Sequence, residues 1–178
     1  FWGKANKGSE ISLNASWGEK SFTSANESGD WLIQIQTPKF DNKSHNVTVS
    51  SSDESIEIKD IVMGEVWLAS GQSNMEMPIK GYASEPINGN NELILHSKNP
   101  NIRMFTVKRN SSPQPVVDCV GTWKESSPEN TPDFSAVAYV FAQKINRILD
   151  VPVGIIHSSW GGTPVEAWTQ KEVIERAV

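Results

Sequence analysis

The hydrophobic pattern of this 178-residue chain changes near residue 62, and that change constrains the fold more than any other feature. Before it, apolar and polar residues alternate, as along Ile11–Trp17 and Trp31–Gln36. A period of two residues buries one face of a strand, which is typical of antiparallel sheets. Residues 1–62 are therefore predicted to form a partial β-sandwich. About five strands are expected where ~7 are usual, and the first starts at Phe1, so we expect this domain to be truncated at its N-terminus.

Beyond residue 62 the apolar residues run together. Residues 65–70 read as a strand covered on both faces, and 101–107 and 153–157 read as further strands. Between the last two, apolar residues recur at helical spacing from Phe134 to Leu149, with Ser135 or Asp133 available as a cap. Strand, helix and strand in succession indicate a parallel α/β unit. Residues 63–178 are therefore predicted to form a second, α/β domain in which the three strands are parallel neighbours.

Two further segments of the second domain, residues 78–100 and 108–133, are rich in Asn, Ser, Pro and Gly. They are predicted to be long loops, which in a compact domain usually serve a function or lie over a site.

Composition excludes several classes of protein. The net charge is −5 with no cluster of Lys or Arg, so a nucleic-acid partner is not expected. No apolar run approaches the ~20 residues that span a bilayer. Cys119 is the single cysteine, which excludes an internal disulfide framework, and no His, Cys and Asp have the spacing of metal ligands. We therefore expect no metal and no cofactor. Asn-x-Ser/Thr sequons are expected to arise by chance in so Asn- and Ser-rich a chain.

The first candidate site is Ser70-Gly71-Gln72-Ser73-Asn74-Met75, directly after the first apolar strand. Ligands of open α/β sheets bind outside the carboxyl ends of the strands. The Ser73 hydroxyl and N–H, together with the Asn74 side chain, can face that position. A strand-to-helix turn in which Ser or Asn caps the helix is the alternative interpretation.

The second candidate site follows the strand at 153–157. Gly161-Gly162 allows a backbone N–H to approach a ligand, which suits an oxyanion hole. Thr163 is predicted to be an N-cap, Pro164 the first helical residue and Glu166 the partner in a capping box. The same box recurs at Thr169 and Glu172 and predicts another helix. Parallel neighbouring strands bring both candidate sites to one edge of the sheet.

Three segments together resemble a known family. They are Gly64–Glu76, which contains Ser73, then Phe134–Ala142, and Ser158–Trp168, which contains the glycine pair. They are similar to the sialate O-acetylesterase branch of the SGNH hydrolases, and the resemblance covers essentially the whole chain. It implies a flavodoxin-like, three-layer SGNH hydrolase fold with a parallel sheet, of which only part is present here. It also implies an extracytoplasmic location: secreted, periplasmic or lysosomal.

The resemblance implies hydrolysis of an acetyl ester on a sugar. Ser73 would be the nucleophile, and its N–H together with that of Gly162 or Gly161 would form the oxyanion hole. The remaining pocket candidates are Gln72, Asn74, Trp160, Thr163 and Glu166. The family takes its general base from an Asp-x-x-x-His-like block near the C-terminus, which this sequence lacks.

None of the three His residues fits the missing role. His45 is expected on the surface of the first domain, His96 in a loop or a helix, and His157 on the third strand. We therefore expect the chain to be a fragment that is inactive alone, whose partner is a C-terminal half supplied in cis or as a second chain. A non-catalytic carbohydrate-binding or interaction module is the alternative.

Overall fold

The computed structural model describes residues 1–177. The chain divides into two compact units, the first being Phe1–Gly64 and the second starting at Glu65. Each unit has its own buried apolar cluster.

The first unit is built from antiparallel strands, as its alternating pattern predicts. Its strands are β1 (Trp2–Lys4), β2 (Glu10–Ala15), β3 (Lys20–Ser24), β4 (Asp30–Leu32), β5 (His45–Ser50) and β6 (Ser55–Ile61). They form a four-stranded sheet in the order β3-β2-β5-β6 and a two-stranded sheet of β1 and β4. Along β2 the side chains of Ile11, Leu13 and Ala15 are buried while their neighbours are not. They share one cluster with Trp31 of β4, so both sheets contribute to the same core.

One prediction for this unit is wrong, because His45 is buried rather than on the surface. It begins β5 on the same face as buried Val47. Its Nε2 lies 3.0 Å from Asp41 Oδ1, and its ring packs edge-on against Trp17 at a centroid distance of 5.5 Å. These contacts give it a structural role in the first unit.

The second unit contains a four-stranded sheet and helices. Its elements are β7 (Glu65–Gly71), α1 (Ser73–Glu76), α2 (Asn90–Leu95), β8 (Asn99–Thr106), β9 (Trp123–Ser126), α3 (Ala136–Leu149), β10 (Val153–Ser159), a 3₁₀ turn (Val165–Trp168) and α4 (Lys171–Ala177). The strand order is β7-β10-β8-β9; β10 is parallel to β7 and β8, and β9 is antiparallel to β8. The three apolar segments are therefore neighbouring parallel strands, as predicted. The two segments predicted to be loops also hold α2 and β9. The sequence leaves a helix near His96 open as an alternative, whereas it does not predict β9.

Helix α3 covers one face of this sheet. Ser135 caps it by accepting a hydrogen bond from the Ala138 N–H at 3.3 Å, and Asp150 ends it in a left-handed conformation. Tyr139 and Ala142 are fully buried and pack against strand residues such as Ile155. The helix and its Ser135 cap are confirmed.

Strand β7 differs from expectation. Val66 is 64% exposed and Leu68 is 68% exposed, so the prediction that β7 is covered on both faces is wrong among the described residues. A continuous apolar run indicates that both faces of a strand can be buried, but it does not show that both faces are covered in this chain. The second unit is therefore an α/β unit whose sheet has three parallel strands and one antiparallel strand. The three-layer arrangement stays a prediction.

Candidate active site

The two candidate sites lie side by side because β7 and β10 are parallel and in register. Ser158 pairs with Ser70 and Ser159 with Gly71, so both strands end at the same edge. Beyond the last pair, the Trp160 N–H donates to the Gly71 carbonyl at 3.1 Å. The Gln72 side-chain amide donates to the Thr163 carbonyl at 2.6 Å. The turn after β7 and the loop after β10 are thus tied together by hydrogen bonds.

Ser73 is the first residue of the single-turn helix α1 and is exposed. No side chain caps the helix, and its hydrogen bonds are made by Glu76 and Met77, whose N–H groups donate to the carbonyls of Gln72 and Ser73. A first helical residue has no intrahelical acceptor for its own N–H. The cap interpretation of Ser73 therefore finds no support, and its hydroxyl and N–H both stay available. Asn74 is exposed in the same turn, and its side chain makes no hydrogen bond within the described residues.

Gly161 is placed directly against the Ser73 turn. A Cβ added to it would lie 2.6 Å from Glu76 Oε2 and 3.4 Å from Ser73 Oγ. Its N–H donates a hydrogen bond to Glu76 Oε2. The absence of a side chain at Gly161 is what allows this approach, and its N–H is already engaged.

Gly162 is arranged differently. Its φ of +78° belongs to the left-handed region that favours glycine, and an added Cβ would meet nothing within 4 Å. Its N–H donates to no acceptor in the described chain. Of the two predicted backbone donors in this loop, Gly162 is the one that can still bind a ligand.

The helix start predicted for this loop is wrong. Pro164 has extended backbone angles, and a 3₁₀ turn begins only at Val165. The Thr163 hydroxyl donates to the Trp160 carbonyl at 2.6 Å and accepts from Trp168 Nε1 at 2.7 Å, so it caps no helix. Glu166 is exposed and makes no capping hydrogen bond within residues 1–177. The Thr163 side chain instead links Trp160 and Trp168 of this loop by hydrogen bonds.

The second predicted capping box fails in the same way, although a helix does follow it. Thr169 Oγ1 donates back to the Val165 carbonyl at 2.9 Å. The N–H groups of Val173 and Ile174 donate to the Gln170 carbonyl, so α4 begins at Lys171.

A groove of about 860 Å³ lies beside Trp160. One wall comes from the segment after β8, within residues 107–120, and the other comes from Ser158, Ser159, Trp160, Thr163, Ala167 and Trp168. Trp160, Trp168 and Thr163 line it, whereas Ser73, Gln72, Asn74 and Glu166 do not. The predicted pocket residues thus divide into a set around Ser73 and a set along this groove.

His157 is buried on β10. Its Nε2 lies 2.6 Å from Ser159 Oγ, and its ring packs edge-on against Phe134 at 5.3 Å between centroids. Burial is the main cause that lowers the pKa of His157, and the positive charge of Arg109 lowers it further. The Met75 backbone and the negative charge of Glu76 act in the opposite direction and raise that pKa. The His157 ring is therefore buried and hydrogen-bonded to Ser159 rather than to Ser73.

His96 lies at the opposite edge of the sheet. It ends α2 and precedes the amino end of β8, whereas Ser73 follows the carboxyl end of parallel β7. Its exposed ring hydrogen-bonds the Glu92 carbonyl in its own helix at 2.9 Å. Within residues 1–177, no His side chain hydrogen-bonds Ser73.

Comparisons with known proteins agree with the motifs. The chain is 29% identical over 186 residues to the sialate O-acetylesterase of Homo sapiens, covering 95% of this chain and 35% of the human protein. It is 26% identical over 192 residues to that of Rattus norvegicus, covering 98% and 34%. This chain is similar to the sialate O-acetylesterases. It spans about a third of the length of these curated relatives. No family model matches it.

A solved structure extends this similarity from sequence to fold. The crystal structure of a carbohydrate acetylesterase from Xanthomonas citri superimposes with a TM-score of 0.89 at 28% identity, over 97% of this chain and 39% of that one. The resemblance to the sialate O-acetylesterases stated from the motifs is therefore confirmed.

Two charged residues at this candidate site were not predicted from the sequence. Glu76 lies one helical turn after Ser73 and accepts hydrogen bonds from Gly161 and from Arg109 Nη2. Arg109 Nε also donates to the Ser159 carbonyl at 3.4 Å. The available signal was their position, since Arg109 follows β8 and Glu76 follows β7 at the same edge of the sheet.

Residues 1–177 contain no group of three or more His, Cys, Asp or Glu side chains that could hold a metal ion. None of the described helices is long and apolar enough to cross a membrane.

Proposed function

We propose that this chain is the nucleophile-bearing part of an SGNH-type carbohydrate O-acetylesterase with the three-layer fold of that superfamily. The observation that carries the proposal is the placement of Ser73 Oγ against the Gly161 backbone, with the unengaged Gly162 N–H next in the chain. In support, Ser73 and the Gly161-Gly162 loop follow different strands and lie at the carboxyl edge of the sheet, where α/β enzymes bind their ligands.

The chemistry follows from these groups. Ser73 Oγ attacks the acetyl carbonyl carbon while a general base takes its proton. The carbonyl oxygen becomes an oxyanion that accepts hydrogen bonds from the N–H groups of Ser73 and Gly162. The bond from the acetyl carbon to the sugar oxygen then breaks, and the base returns the proton to that oxygen. Water attacks the acetyl-Ser73 ester in the second half of the reaction and releases acetate.

The general base is proposed to come from a segment outside residues 1–177, in cis or as a second chain. The contacts of the described His residues support this: His157 is hydrogen-bonded to Ser159, His96 to the Glu92 carbonyl of its own helix, and His45 to Asp41. A serine hydroxyl without a base is a poor nucleophile, so residues 1–178 alone are expected to have little esterase activity.

The groove beside Trp160 is proposed to hold the sugar. Trp160 and Trp168 line it and offer aromatic faces on which a sugar ring can stack. The Arg109 guanidinium lies 5.7 Å from the centre of the Trp160 ring, which fixes one side of that surface.

Acetate release tests the proposal. It should be measured on acetylated mono- and oligosaccharides with residues 1–178 and with the longest gene product that contains them. We expect turnover from the longer protein and little from the shorter one. Absence of turnover from both on every acetylated sugar would overturn the esterase assignment. Equal turnover would place the base within this chain, and His157→Asn and His96→Asn would then identify it.

A non-catalytic carbohydrate-binding module is the second candidate. The absence of a His on Ser73 among the described residues favours it, because the tryptophan-lined groove could still bind sugar without turnover. Calorimetric titration with the deacetylated sugar distinguishes the two. Binding by the longest gene product without hydrolysis of its acetylated form supports the module.

A further inference from the structure

Glu76 is held between two elements of the candidate site. Its side chain is only 20% exposed, although it lies on a short helix at the protein surface. One carboxylate oxygen accepts the Gly161 N–H and the other accepts Arg109 Nη2. Both oxygens of Glu76 are thus engaged in tying its helix to two other segments.

Arg109 completes this arrangement from the segment after β8. Besides its ion pair with Glu76, its Nε donates to the Ser159 carbonyl at 3.4 Å, and its Cζ lies 5.7 Å from the Trp160 ring centre. These contacts join the turn that carries Ser73, the segment after β8 and the loop that carries Gly161. Glu76, Arg109 and the Gly161 N–H are together called the Glu76–Arg109 clasp below.

We propose that the clasp sets the geometry and the charge of the oxyanion hole, an inference that rests on the proposed function. Glu76 engages the Gly161 N–H, fixes the backbone of that loop and leaves Gly162 as its free donor. Glu76 and Arg109 are positioning residues in this account, because they act through the backbone and touch no reacting atom.

The charge of Glu76 makes Arg109 necessary. Glu76 Oε2 and Ser73 Oγ lie 2.6 and 3.4 Å from the same point, the position of a Cβ on Gly161. They are therefore at most about 6 Å apart, a range at which an unpaired carboxylate would repel the negative charge that forms on the substrate. The guanidinium of Arg109 cancels that repulsion while leaving the hydrogen bond to Gly161 intact.

A double-mutant cycle on the longest gene product tests the clasp through kcat and KM for an acetyl ester. Glu76→Ala removes the hydrogen bond and should lower kcat ~10- to 100-fold with little change in KM. Glu76→Gln retains an oxygen that can accept the Gly161 N–H and should restore most of kcat. Arg109→Met should lower kcat ~10-fold when Glu76 is present. It should change kcat little in the Glu76→Gln background, because no negative charge is then left for Arg109 to cancel.

Two results would overturn the proposal. One is equal loss of kcat in Glu76→Ala and Glu76→Gln, and the other is an Arg109→Met effect of the same size in both backgrounds. The matched controls are the exposed residues Glu85 and Arg147. Glu85→Gln and Arg147→Met remove the same charges and should leave kcat unchanged.

A spectroscopic arm separates failure of the clasp from failure of the esterase assignment. In ¹H–¹⁵N spectra, the Gly161 amide signal should lie downfield because its N–H donates to the Glu76 carboxylate. It should move upfield in Glu76→Ala and move much less in Glu76→Gln, which keeps an acceptor oxygen. A Gly161 signal that is unchanged in Glu76→Ala overturns the clasp whether or not the protein hydrolyses esters. A signal that moves as expected in a protein without esterase activity supports the clasp and overturns the function.

Discussion

The turn after β7 and the loop after β10 meet at the same sheet edge but contribute to the site in opposite ways. The turn supplies side chains, with the exposed Ser73 hydroxyl and the Glu76 carboxylate on one helical turn. The loop supplies backbone, with two glycines whose value lies in having no side chain. Substitutions in the turn should therefore act by removing a chemical group, and substitutions in the loop by changing geometry.

The largest effect is expected from Ser73→Ala, which removes the nucleophilic oxygen. Acetate release by the longest gene product should fall at least ~10³-fold, because a catalytic unit that loses its nucleophile keeps only the contributions of binding and the oxyanion hole. Stability should change by less than about 0.5 kcal/mol, since Ser73 is exposed and caps no helix. Ser84→Ala is the control, because Ser84 is an exposed serine outside the candidate site residues. Retained activity in Ser73→Ala would show that the turn does not supply the nucleophile.

The next effect is expected from Gly161→Ala. The added methyl group would lie 2.6 Å from Glu76 Oε2 and 3.4 Å from Ser73 Oγ, so the loop or the turn must shift. A shift of about 1 Å in a catalytic group can cost ~10²-fold in rate, and we expect a loss of that order in kcat. Unchanged kinetics in a folded variant, judged by circular dichroism, would argue that the glycine backbone does not abut the nucleophile.

A smaller effect is expected from the neighbouring Gly162→Ala. The methyl group has open space around it, and the cost is the left-handed φ of +78°, roughly 1–2 kcal/mol for a residue with a Cβ. The variant can relieve this strain by turning the Gly162 N–H away from the oxyanion. A strain of about 1–2 kcal/mol would then leave only about 1/5 to 1/30 of the molecules in the active conformation, so kcat should fall about 5- to 30-fold. A larger loss of kcat in Gly162→Ala than in Gly161→Ala would show that backbone conformation matters more in this loop than steric contact with the Ser73 turn.

Sequence patterns predicted the parts of the second unit whose side chains report burial. The β7, β8 and β10 segments and the α3 helix have continuous or periodic apolar residues, which reflect what each element packs against. Strand β9 lacks that signal, because three of its four residues are exposed and the buried one is Ser126. Strand β3 is similar, since its one large apolar residue, Phe22, is 75% exposed.

The candidate site was predictable where a motif is local and not where it depends on distant contacts. Ser73 and the glycine pair follow strands directly and can be placed from spacing. Glu76 meets partners 33 and 85 residues away, Arg109 and Gly161, and nothing near Glu76 announces either contact. Thr163 has the residue type of an N-cap, but its hydroxyl is taken by Trp160 and Trp168.

The smallest effect concerns stability rather than rate. Because burial lowers the pKa of His157, the unfolded chain binds a proton more readily than the folded one. The contribution of His157 to the free energy of unfolding is fully present above the pKa of about 6.5 that the residue has in the unfolded chain. That contribution is lost as the pH falls from this value toward the lower pKa of the folded state. His157→Asn should therefore weaken the fall in unfolding free energy between pH 7.5 and 5.5, measured by urea denaturation. An unchanged pH dependence would mean that His157 is accessible to protons in the folded state.

Labelling with a fluorophosphonate tests the central claim most directly, because such a probe reacts only with an activated serine and mimics the tetrahedral intermediate. The longest gene product should gain the mass of one phosphonyl group, located on Ser73 by peptide mass spectrometry and absent in Ser73→Ala. A crystal structure of the adduct should show the phosphonyl oxygen accepting the N–H groups of Ser73 and Gly162 while the Gly161 N–H stays on Glu76. Failure of the longest gene product to be labelled, or a label on another serine such as Ser159, would contradict the account.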